Sequence, residues 1–129
     1  MKGIELVFLA VGAVVGAFVR YRITDTSIVL GGLSINLLLV NVFGSFILGV
    51  FSAVSPVLNL DAKYTLFMSI GFCGSLTSMS SFALETCNLL DKSCFYHAAL
   101  NILANVFLSL GALVSGRALT NIVLETMLY

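Results

Sequence analysis

The sequence predicts an all-α integral membrane protein, with four transmembrane helices in each subunit and a break in the third. Of the 129 residues, 60% are hydrophobic and 9% are charged, and the mean hydropathy is +1.12. Soluble domains carry a charged fraction nearer a quarter, and a chain this small cannot hide so much apolar surface in one core. Four apolar windows approach or exceed the ~20 residues that cross a bilayer, and the third contains a run of hydroxyl residues.

Four predicted spans account for the chain as a single transmembrane domain, residues 1–129, with no soluble domain. They cover approximately 4–19, 33–55, 64–90 and 96–119. Charged and turn-forming residues occupy the short connections, so consecutive helices are expected to run antiparallel. The first span resembles a signal peptide, but it ends in Arg20 and Arg22 and three more spans follow it, which favours a retained helix.

Two features of the first span concern its packing and its end. Gly12 and Gly16 are spaced as a small-xxx-small surface, at which two helices can approach closely. Arg20 lies at the end of the span, and its side chain has two alternatives. It either extends to the membrane interface or turns inward, to cap backbone carbonyls or to pair with an acid.

The positive charges divide evenly between the two sides of the membrane, although the net charge of zero does not reveal it. One side carries Lys2, Lys63 and Arg117, and the other carries Arg20, Arg22 and Lys92. Because orientation follows the Lys and Arg bias of the loops, this division gives insertion no preferred direction. The sequence therefore predicts dual topology and an antiparallel homodimer with two-fold symmetry. The alternative is a fixed topology set by one strong determinant, such as the Arg20/Arg22 pair.

Polar stripes run along the second and fourth spans. They comprise Ser34, Asn41, Ser45 and Ser52 on the second, and His97, Asn101, Asn105 and Ser109 on the fourth. Their spacing places each group on one helical face. For any single serine, a hydrogen bond between helices is an equally good interpretation. Asn41 and Asn105 together favour a hydrated or ion-lined path, whereas His97 is expected at the membrane interface beside a loop.

The third span contains the strongest local signal, the stretch GFCGSLTSMSSF from Gly71 to Phe82. Serine and threonine compete for backbone hydrogen bonds, and Gly74 lowers the cost of leaving helical geometry, so the stretch predicts a broken helix. A break at membrane depth frees carbonyl groups that need protein, water or an ion. Where two antiparallel copies cross at their breaks, four or more carbonyls could converge and suit a small hard cation such as sodium. The alternative is a continuous helix whose hydroxyls bond back to its own carbonyls.

In their order and spacing, four segments resemble the Fluc (CrcB-type) fluoride channel family, and the likeness covers essentially all four spans. The segments are GAVVGAFVRY at 12–21, VNVFGSFILG at 40–49, the stretch 71–82 followed by ALE at 83–85, and NVFLSLG at 105–111. The resemblance implies a dual-topology homodimer in the cell membrane with two antiparallel fluoride pores, each lined by both subunits. It also implies a function, the passive export of cytoplasmic fluoride that relieves fluoride toxicity.

The resemblance further implies roles for individual residues. The backbone carbonyls of Gly74 and Thr77 from both copies would hold a central sodium ion, which supports the structure and is not transported. The fluoride pathway would be lined by Asn41, Phe82, Ser80, Ser81, Asn105 and Ser109, with Glu85 as the pore-associated acid. Two phenylalanine rings line the family's pore, but the first falls on Met79 here, and Ala83 replaces a usual serine.

The chemistry of fluoride explains why such residues suit it. Fluoride is small and strongly hydrated, so a pore must replace its water with other donors. A lysine or arginine could bind the ion too well for release, whereas amides, hydroxyls and the positive edge of an aromatic ring offer weaker sites. The thioether of Met79 has no ring edge, and we therefore predict that flux is carried past Phe82.

Two other functions fit a short chain with four spans. A small multidrug exchanger can also have dual topology, but it needs an acid embedded in the first span, where Glu5 at the very start is the sole acid. A non-conducting assembly or accessory protein would use the polar stripes only as contacts between helices. An enzyme is the least favoured class, because one histidine and no nucleophile–base spacing give catalysis little to work with.

Overall fold

The computed structural model describes residues 2–129, and in them four helical spans are long and apolar enough to cross a membrane. The first span is α1 (Gly3–Thr24) and the second is α2 (Asn36–Val57). The third comprises α3 (Ala62–Thr65), a π-helical segment (Leu66–Cys73), α4 (Gly74–Leu76) and α5 (Met79–Asp91). The fourth is α6 (Phe95–Leu128), and a hairpin of β1 (Val29–Leu30) and β2 (Leu33–Ser34) joins α1 to α2.

The helices differ from the predicted spans mainly at their ends. α1 continues five residues past Val19, where the Thr24 hydroxyl donates to the Arg20 carbonyl at 2.8 Å. α2 starts three residues later than predicted, because Leu33 and Ser34 pair with β1. α6 continues through the tail 121–129 as far as Leu128, since neither glycine nor proline interrupts it there. With 34 residues, α6 is about 51 Å long, which exceeds the ~30 Å hydrocarbon core.

α1 lies against the first half of the third span, residues 62–76, and runs in the same direction. A methyl group added at Gly12 would overlap the carbonyl oxygen of Phe67, and one added at Gly16 would overlap that of Phe72. Gly71 on the third span makes the same kind of contact with α1, because a Cβ there would lie 2.8 Å from the carbonyl oxygen of Leu9. Glycines on both helices therefore let the two backbones touch.

α2 and α6 form the second parallel pair. A Cβ at Gly49 would overlap the carbonyl oxygen of Leu113, and one at Gly116 would lie 2.5 Å from the carbonyl oxygen of Phe46. The close approach brings the polar residues of the two helices within hydrogen-bonding distance at both ends. Arg117 Nε donates to Ser52 Oγ at 3.1 Å at one end, and the amides described below meet at the other.

The buried apolar core is small and lies between the two pairs. Leu37, Val40 and Leu76 are its buried members, with Phe72 and Phe82 packed against them. Most other large apolar side chains are exposed on the outside of the helices, as a lipid solvent requires. The core therefore sits beside the point where α4 ends, and it holds that part of the third span against α2.

The hairpin between α1 and α2 turns at Gly31 and Gly32, whose φ angles are +60° and +86°. Two successive positive φ angles define the turn that matches strand twist, and glycine adopts them without strain. His97 Nε2 lies 3.0 Å from the Gly31 carbonyl oxygen, which ties the start of α6 to the hairpin. Below the turn, Asn36 accepts a hydrogen bond from the backbone N–H of Ile28 at 2.7 Å.

Candidate ion pathway

The third span is interrupted at two residues with extended backbone angles. Thr77 has φ −80° and ψ 155°, and Ser78 has φ −149° and ψ 109°. Thr77 N–H still donates to the Cys73 carbonyl at 3.1 Å. Ser78 N–H donates instead to Asn41 Oδ1 on α2, at 2.9 Å. A side chain from a neighbouring helix therefore takes over a hydrogen bond that a continuous helix would make internally.

The interruption releases backbone carbonyl groups from their helical partners, among them those of Gly74 and Thr77. In a continuous helix the Gly74 carbonyl would accept from Ser78 N–H, and the Thr77 carbonyl would accept from Ser81 N–H. Here Ser78 N–H goes to Asn41, and Ser81 N–H goes to Ser78 Oγ at 3.1 Å. Freed carbonyls at membrane depth need another partner. Arg20 supplies one for Thr77, because its Nη1 donates to the Thr77 oxygen at 3.4 Å.

Arg20 thus takes the inward alternative and caps a backbone carbonyl. It is half-buried and belongs to α1, at the level where the third span is interrupted. The parallel packing of α1 on residues 62–76 sets this level, since the contacts of Gly12 with Phe67 and Gly16 with Phe72 continue by one more turn to Arg20 and Thr77.

Three serine hydroxyls meet where α5 begins. The Ser78 hydroxyl caps α5 by accepting from Ser81 N–H, and it donates to the Ser81 hydroxyl at 2.9 Å. The Ser80 hydroxyl lies 3.3 Å from Ser78 Oγ. Ser80 and Ser81 are both exposed, whereas Ser78 is buried. The buried serine therefore organises the helix start, and the two exposed hydroxyls face outward from it.

A chain of side-chain amides connects the interruption to α6 and back to α5. Asn41 Nδ2 donates to Asn105 Oδ1 at 2.9 Å, and Asn105 Nδ2 donates to Asn101 Oδ1 at 3.1 Å. Asn101 Nδ2 donates to Thr86 Oγ1 at 3.1 Å. The Thr86 hydroxyl donates in turn to the Phe82 carbonyl at 2.8 Å. Asn101, Asn105 and Thr86 are buried, so their polar groups depend on these bonds.

An open groove of about 490 Å³ runs along α2, α6 and the interrupted span. Its polar lining comprises Asn41, Ser45, Ser69, Thr77, Ser78, Asn105 and Ser109, with Gly74, Met79 and Phe82 beside them. Met79 is 73% exposed, and the Ser109 hydroxyl is enclosed without a hydrogen-bond partner in residues 2–129. The groove therefore offers hydroxyl and amide groups along an otherwise apolar wall.

A second cavity of about 220 Å³ lies on the hairpin side of the interruption. It is lined by Arg20, Thr24, Ser34, Asn36, Leu37, Ser81 and Glu85. Glu85 Oε2 is buried and has no hydrogen-bond partner in the described part of the chain. This cavity is more polar than the groove. Ser81 lines the cavity, whereas Phe82, the next residue of α5, lines the groove.

Most of the predicted pathway residues line one of these two spaces. Asn41, Asn105, Ser109, Met79 and Phe82 line the groove. Ser81 and Glu85 line the second cavity, and Ser80 is exposed at the start of α5. Gly12 and Gly16 are elsewhere, in the contact of α1 with residues 62–76. Across residues 2–129, no cluster of three His, Cys, Asp or Glu side chains could hold a metal ion.

Sequence reasoning missed some residues that organise the site. Ser78 caps α5 and meets Asn41, Thr86 ends the amide chain, and Asn36 holds the hairpin connection. The sequence predicts Asn101 only as a member of the polar stripe on the fourth span. A usable signal for Thr86 existed: a threonine four residues after Phe82 can bond the Phe82 carbonyl, and it falls on the face of α5 that meets α6.

Comparison with known proteins identifies close relatives over nearly the full chain. Residues 7–117 match the family described as CrcB-like protein, Camphor Resistance (CrcB). A protein of Nitrosopumilus maritimus named Fluoride-specific ion channel FluC is 53% identical over 125 residues, which cover 97% of this chain and 99% of the relative. Proteins of the same name from Methanocaldococcus jannaschii and Methanococcus maripaludis are 42% and 37% identical, over 89% and 88% of this chain and 93% of each relative.

Proposed function

The chain belongs to the CrcB family, and we propose from this premise that it is a fluoride-specific ion channel, which exports cytoplasmic fluoride passively across the cell membrane and relieves its toxicity. The observation that carries the proposal is the alignment of this chain, end to end, with relatives named for that activity, the first at 53% identity. The donors along the groove support it, because they are amides and hydroxyls. The activity is transport, with no catalytic step.

We place the fluoride pathway between two antiparallel copies of the chain. The groove is open on one side, and Gly74 and Met79 on its rim are exposed. A Cβ at Gly74 would meet nothing closer than the Ser69 carbonyl oxygen at 3.6 Å, so packing within one chain does not require glycine there. A second copy crossing at this point would require it. The even division of Lys and Arg between the two sides also supports opposed copies.

Sodium is the cation that we propose at this crossing, held by the carbonyls of Gly74 and Thr77 from both copies. The donors fit, since the diversion of Ser78 N–H and Ser81 N–H leaves both oxygens without their helical partners. Unwound backbone carbonyls are a known way to hold sodium inside membrane proteins. The ion would supply a fixed positive charge at the interface.

Removal of sodium tests this site. Fluoride efflux from vesicles is expected to fall when sodium is replaced on both sides by N-methylglucamine, and to recover when sodium is returned. Equal efflux in both media after exhaustive dialysis of the protein would contradict the proposed site, while leaving the channel activity itself in place.

Fluoride is expected to exchange its water for a few weak donors. Asn41 Nδ2 gives one hydrogen to Asn105 and has a second for an anion in the groove. The Ser109 hydroxyl has no protein partner, and the rings of Phe82 can present a positive edge. These sites are neutral, which favours the rapid release that conduction needs. Arg20 is held at the Thr77 carbonyl, away from the groove.

The deciding experiment is fluoride efflux from liposomes that contain the purified protein, followed with a fluoride electrode. Fast efflux that follows an imposed membrane potential is expected, with chloride-loaded vesicles as the control for selectivity. Efflux no faster than from protein-free vesicles would exclude the channel. Flux that ignores the potential would point to a coupled exchanger.

Phe82→Ile tests the placement of the pathway. Loss of the aromatic edge in the groove is expected to reduce fluoride efflux at least about tenfold, the scale of one or two weak polar contacts. Phe18→Ile is the matched control, because Phe18 is 63% exposed on α1 and lies outside both cavities. Equal flux through the two variants would show that Phe82 does not line the pathway.

A further inference from the structure

The hydrogen bonds of the amide chain from Asn41 to Thr86 all run in one donor-to-acceptor direction, because the partner at each end of the chain allows only one orientation of the neighbouring amide. At one end, Ser78 presents a backbone N–H, which can only donate, so Asn41 must turn its oxygen toward it. At the other end, the single hydroxyl hydrogen of Thr86 is used by the Phe82 carbonyl at 2.8 Å. Thr86 Oγ1 can therefore only accept from its neighbour, and Asn101 must turn its nitrogen toward it.

The two amides between these ends follow the same direction. Asn101 turns its oxygen to Asn105, whose nitrogen donates to that oxygen at 3.1 Å and to the Asn101 backbone carbonyl at 3.0 Å. Both hydrogens of the Asn105 amide are thereby used. Asn105 can offer Asn41 only its oxygen, which accepts at 2.9 Å. Reversing any one amide would bring two nitrogens or two oxygens face to face.

We infer that Asn101 and Thr86 are positioning residues of the pore, which act through Asn105 to keep an N–H of Asn41 available to an anion in the groove. This inference rests on the proposed function. Asn41 and Asn105 line the groove, whereas Asn101 and Thr86 are buried behind it and do not. The role of Asn101 and Thr86 is to fix which atom of the groove-lining amide faces the ion.

The hydroxyl of Thr86 is the part of this arrangement that can be removed alone. Without it, the Asn101 amide loses the Thr86 acceptor of its nitrogen, and its orientation is less constrained. Asn105 then keeps only the Asn101 backbone carbonyl as a fixed acceptor for its nitrogen, and the arrangement that sets this nitrogen against that of Asn41 becomes easier to reach. An anion would meet a disordered amide in place of a fixed donor, and each buried group left without a partner also costs free energy.

Three variants of the full-length protein test the inference by fluoride efflux from liposomes. Thr86→Val removes the hydroxyl with little change of shape, and flux is expected to fall roughly three- to tenfold, the effect of one buried hydrogen bond. Thr86→Ser keeps the hydroxyl and loses the methyl group, and its flux is expected to stay within about twofold of the wild-type value. Thr120→Val is the matched control, because Thr120 also donates to the carbonyl four residues earlier, at 2.7 Å, but lies outside the amide chain.

The outcomes separate positioning from folding. Elution of each variant on size exclusion and its thermal unfolding in detergent report the fold, and these are expected to match the wild type. If Thr86→Val does not fold, Thr86→Ala and Thr86→Ser form the deciding pair, since they differ by one oxygen atom. Wild-type flux in a folded hydroxyl-free variant, or equal loss in Thr86→Ser, would overturn the inference. So would a finding that no hydroxyl-free variant folds, because the role would then be structural.

Failure of the proposed function would look different. Wild-type protein that conducts no fluoride would remove the channel itself, before any variant is compared. Wild-type flux with no effect of the Thr86 substitutions would remove only the positioning role of Thr86 and Asn101.

Discussion

Met79 and Phe82 share one face of α5, three residues apart, and both line the groove. A phenylalanine ring has a positive edge that an anion can approach, whereas a thioether has only weakly polar methyl hydrogens. Met79 is also unbranched and flexible, so its position depends on what packs around it. Its exposure of 73% shows that little within one chain does so.

Met79→Phe is expected to keep or raise fluoride flux, because it adds an aromatic edge at a position that already faces the groove. The measurement is fluoride efflux from liposomes at equal protein density. Met127→Phe serves as the control, since Met127 is 78% exposed near the end of α6 and far from the groove along that helix. A clear loss of flux in Met79→Phe alone would show that Met79 has been misplaced in the pathway.

At the scale of single residues, side-chain type predicted much of what lines the groove, but the partners of those side chains did not follow from it. The sequence predicts that Asn41 and Asn105 together line a hydrated or ion-lined path; both line the groove, and they also bond to each other at 2.9 Å. The bond from Ser78 N–H to Asn41 could not be predicted, because it depends on the backbone angles of Ser78. The contact of Asn101 with Thr86 depends on how α5 and α6 are rotated about their axes, which one sequence does not specify.

At the scale of elements, the third span departs from an α-helix twice, first in its π-helical segment and then at the extended residues Thr77 and Ser78. The π-helical segment Leu66–Cys73 has a wider turn, and it is the part of the span that touches α1 most closely. Gly71 within it lies against Leu9 and Ala13. The segment therefore meets α1 backbone to backbone, and it ends one turn before Thr77 leaves the helix.

Gly12→Ala is expected to lower the free energy of unfolding by about 1–3 kcal/mol, the usual cost of adding a methyl group where no space exists. The new Cβ would overlap the Phe67 carbonyl oxygen, which belongs to the backbone and cannot rotate away. Thermal unfolding in detergent, followed by circular dichroism, measures the change. Gly3→Ala is the control, because a Cβ at Gly3 meets nothing within 4 Å. Equal stability of the two variants would show that α1 and the third span can separate at little cost.

The sequence predicts the apolar middle of each helix better than it predicts the residues at which the helix begins and ends. Hydropathy defines the portion of a helix that lipid can accept, but a helix continues as long as its backbone bonds are satisfied and nothing breaks it. α6 therefore extends beyond the predicted 119 to Leu128, through residues that include Asn121 and Glu125. Conversely, Leu33 is apolar and lies outside α2, because the Gly31-Gly32 turn pairs it with Leu30.

At the scale of the whole molecule, one chain leaves the groove uncovered on one side. The groove opens beside Gly74 and Met79, and lipid would be a poor neighbour for the hydroxyls and carbonyls there. A second copy in the opposite orientation would cover them with the same residues, because a two-fold interface pairs each surface with itself. Such an assembly needs equal numbers of chains inserted each way, so its yield depends on the Lys and Arg balance.

The charge balance therefore gives a prediction about assembly and activity together. Ser27→Lys with Leu30→Lys raises one side from three positive residues to five, and Leu58→Lys with Asn121→Lys does the same for the other side. All four positions are exposed. Because loop Lys and Arg set orientation, each double variant is expected to insert one way only and, expressed alone, to give membranes without fluoride flux. Expressed together, the two variants supply opposed copies, and flux is expected to return.

Fluoride efflux from membrane vesicles measures the activity of each variant and of the mixture. Orientation is measured separately, by placing a single cysteine in a loop that carries an added lysine and labelling it with a reagent that does not cross the membrane. Cys73, Cys87 and Cys94 are free thiols and would first be replaced. A pair of variants that each conduct alone while inserted in one direction would refute the antiparallel pore. Inactivity of the two variants expressed together, in well-folded protein that labelling shows in both orientations, would also refute the antiparallel pore, because opposed copies would then be present and still not conduct. The even division of six positive charges is thus tied to function only if activity follows the mixture of orientations and not the total charge.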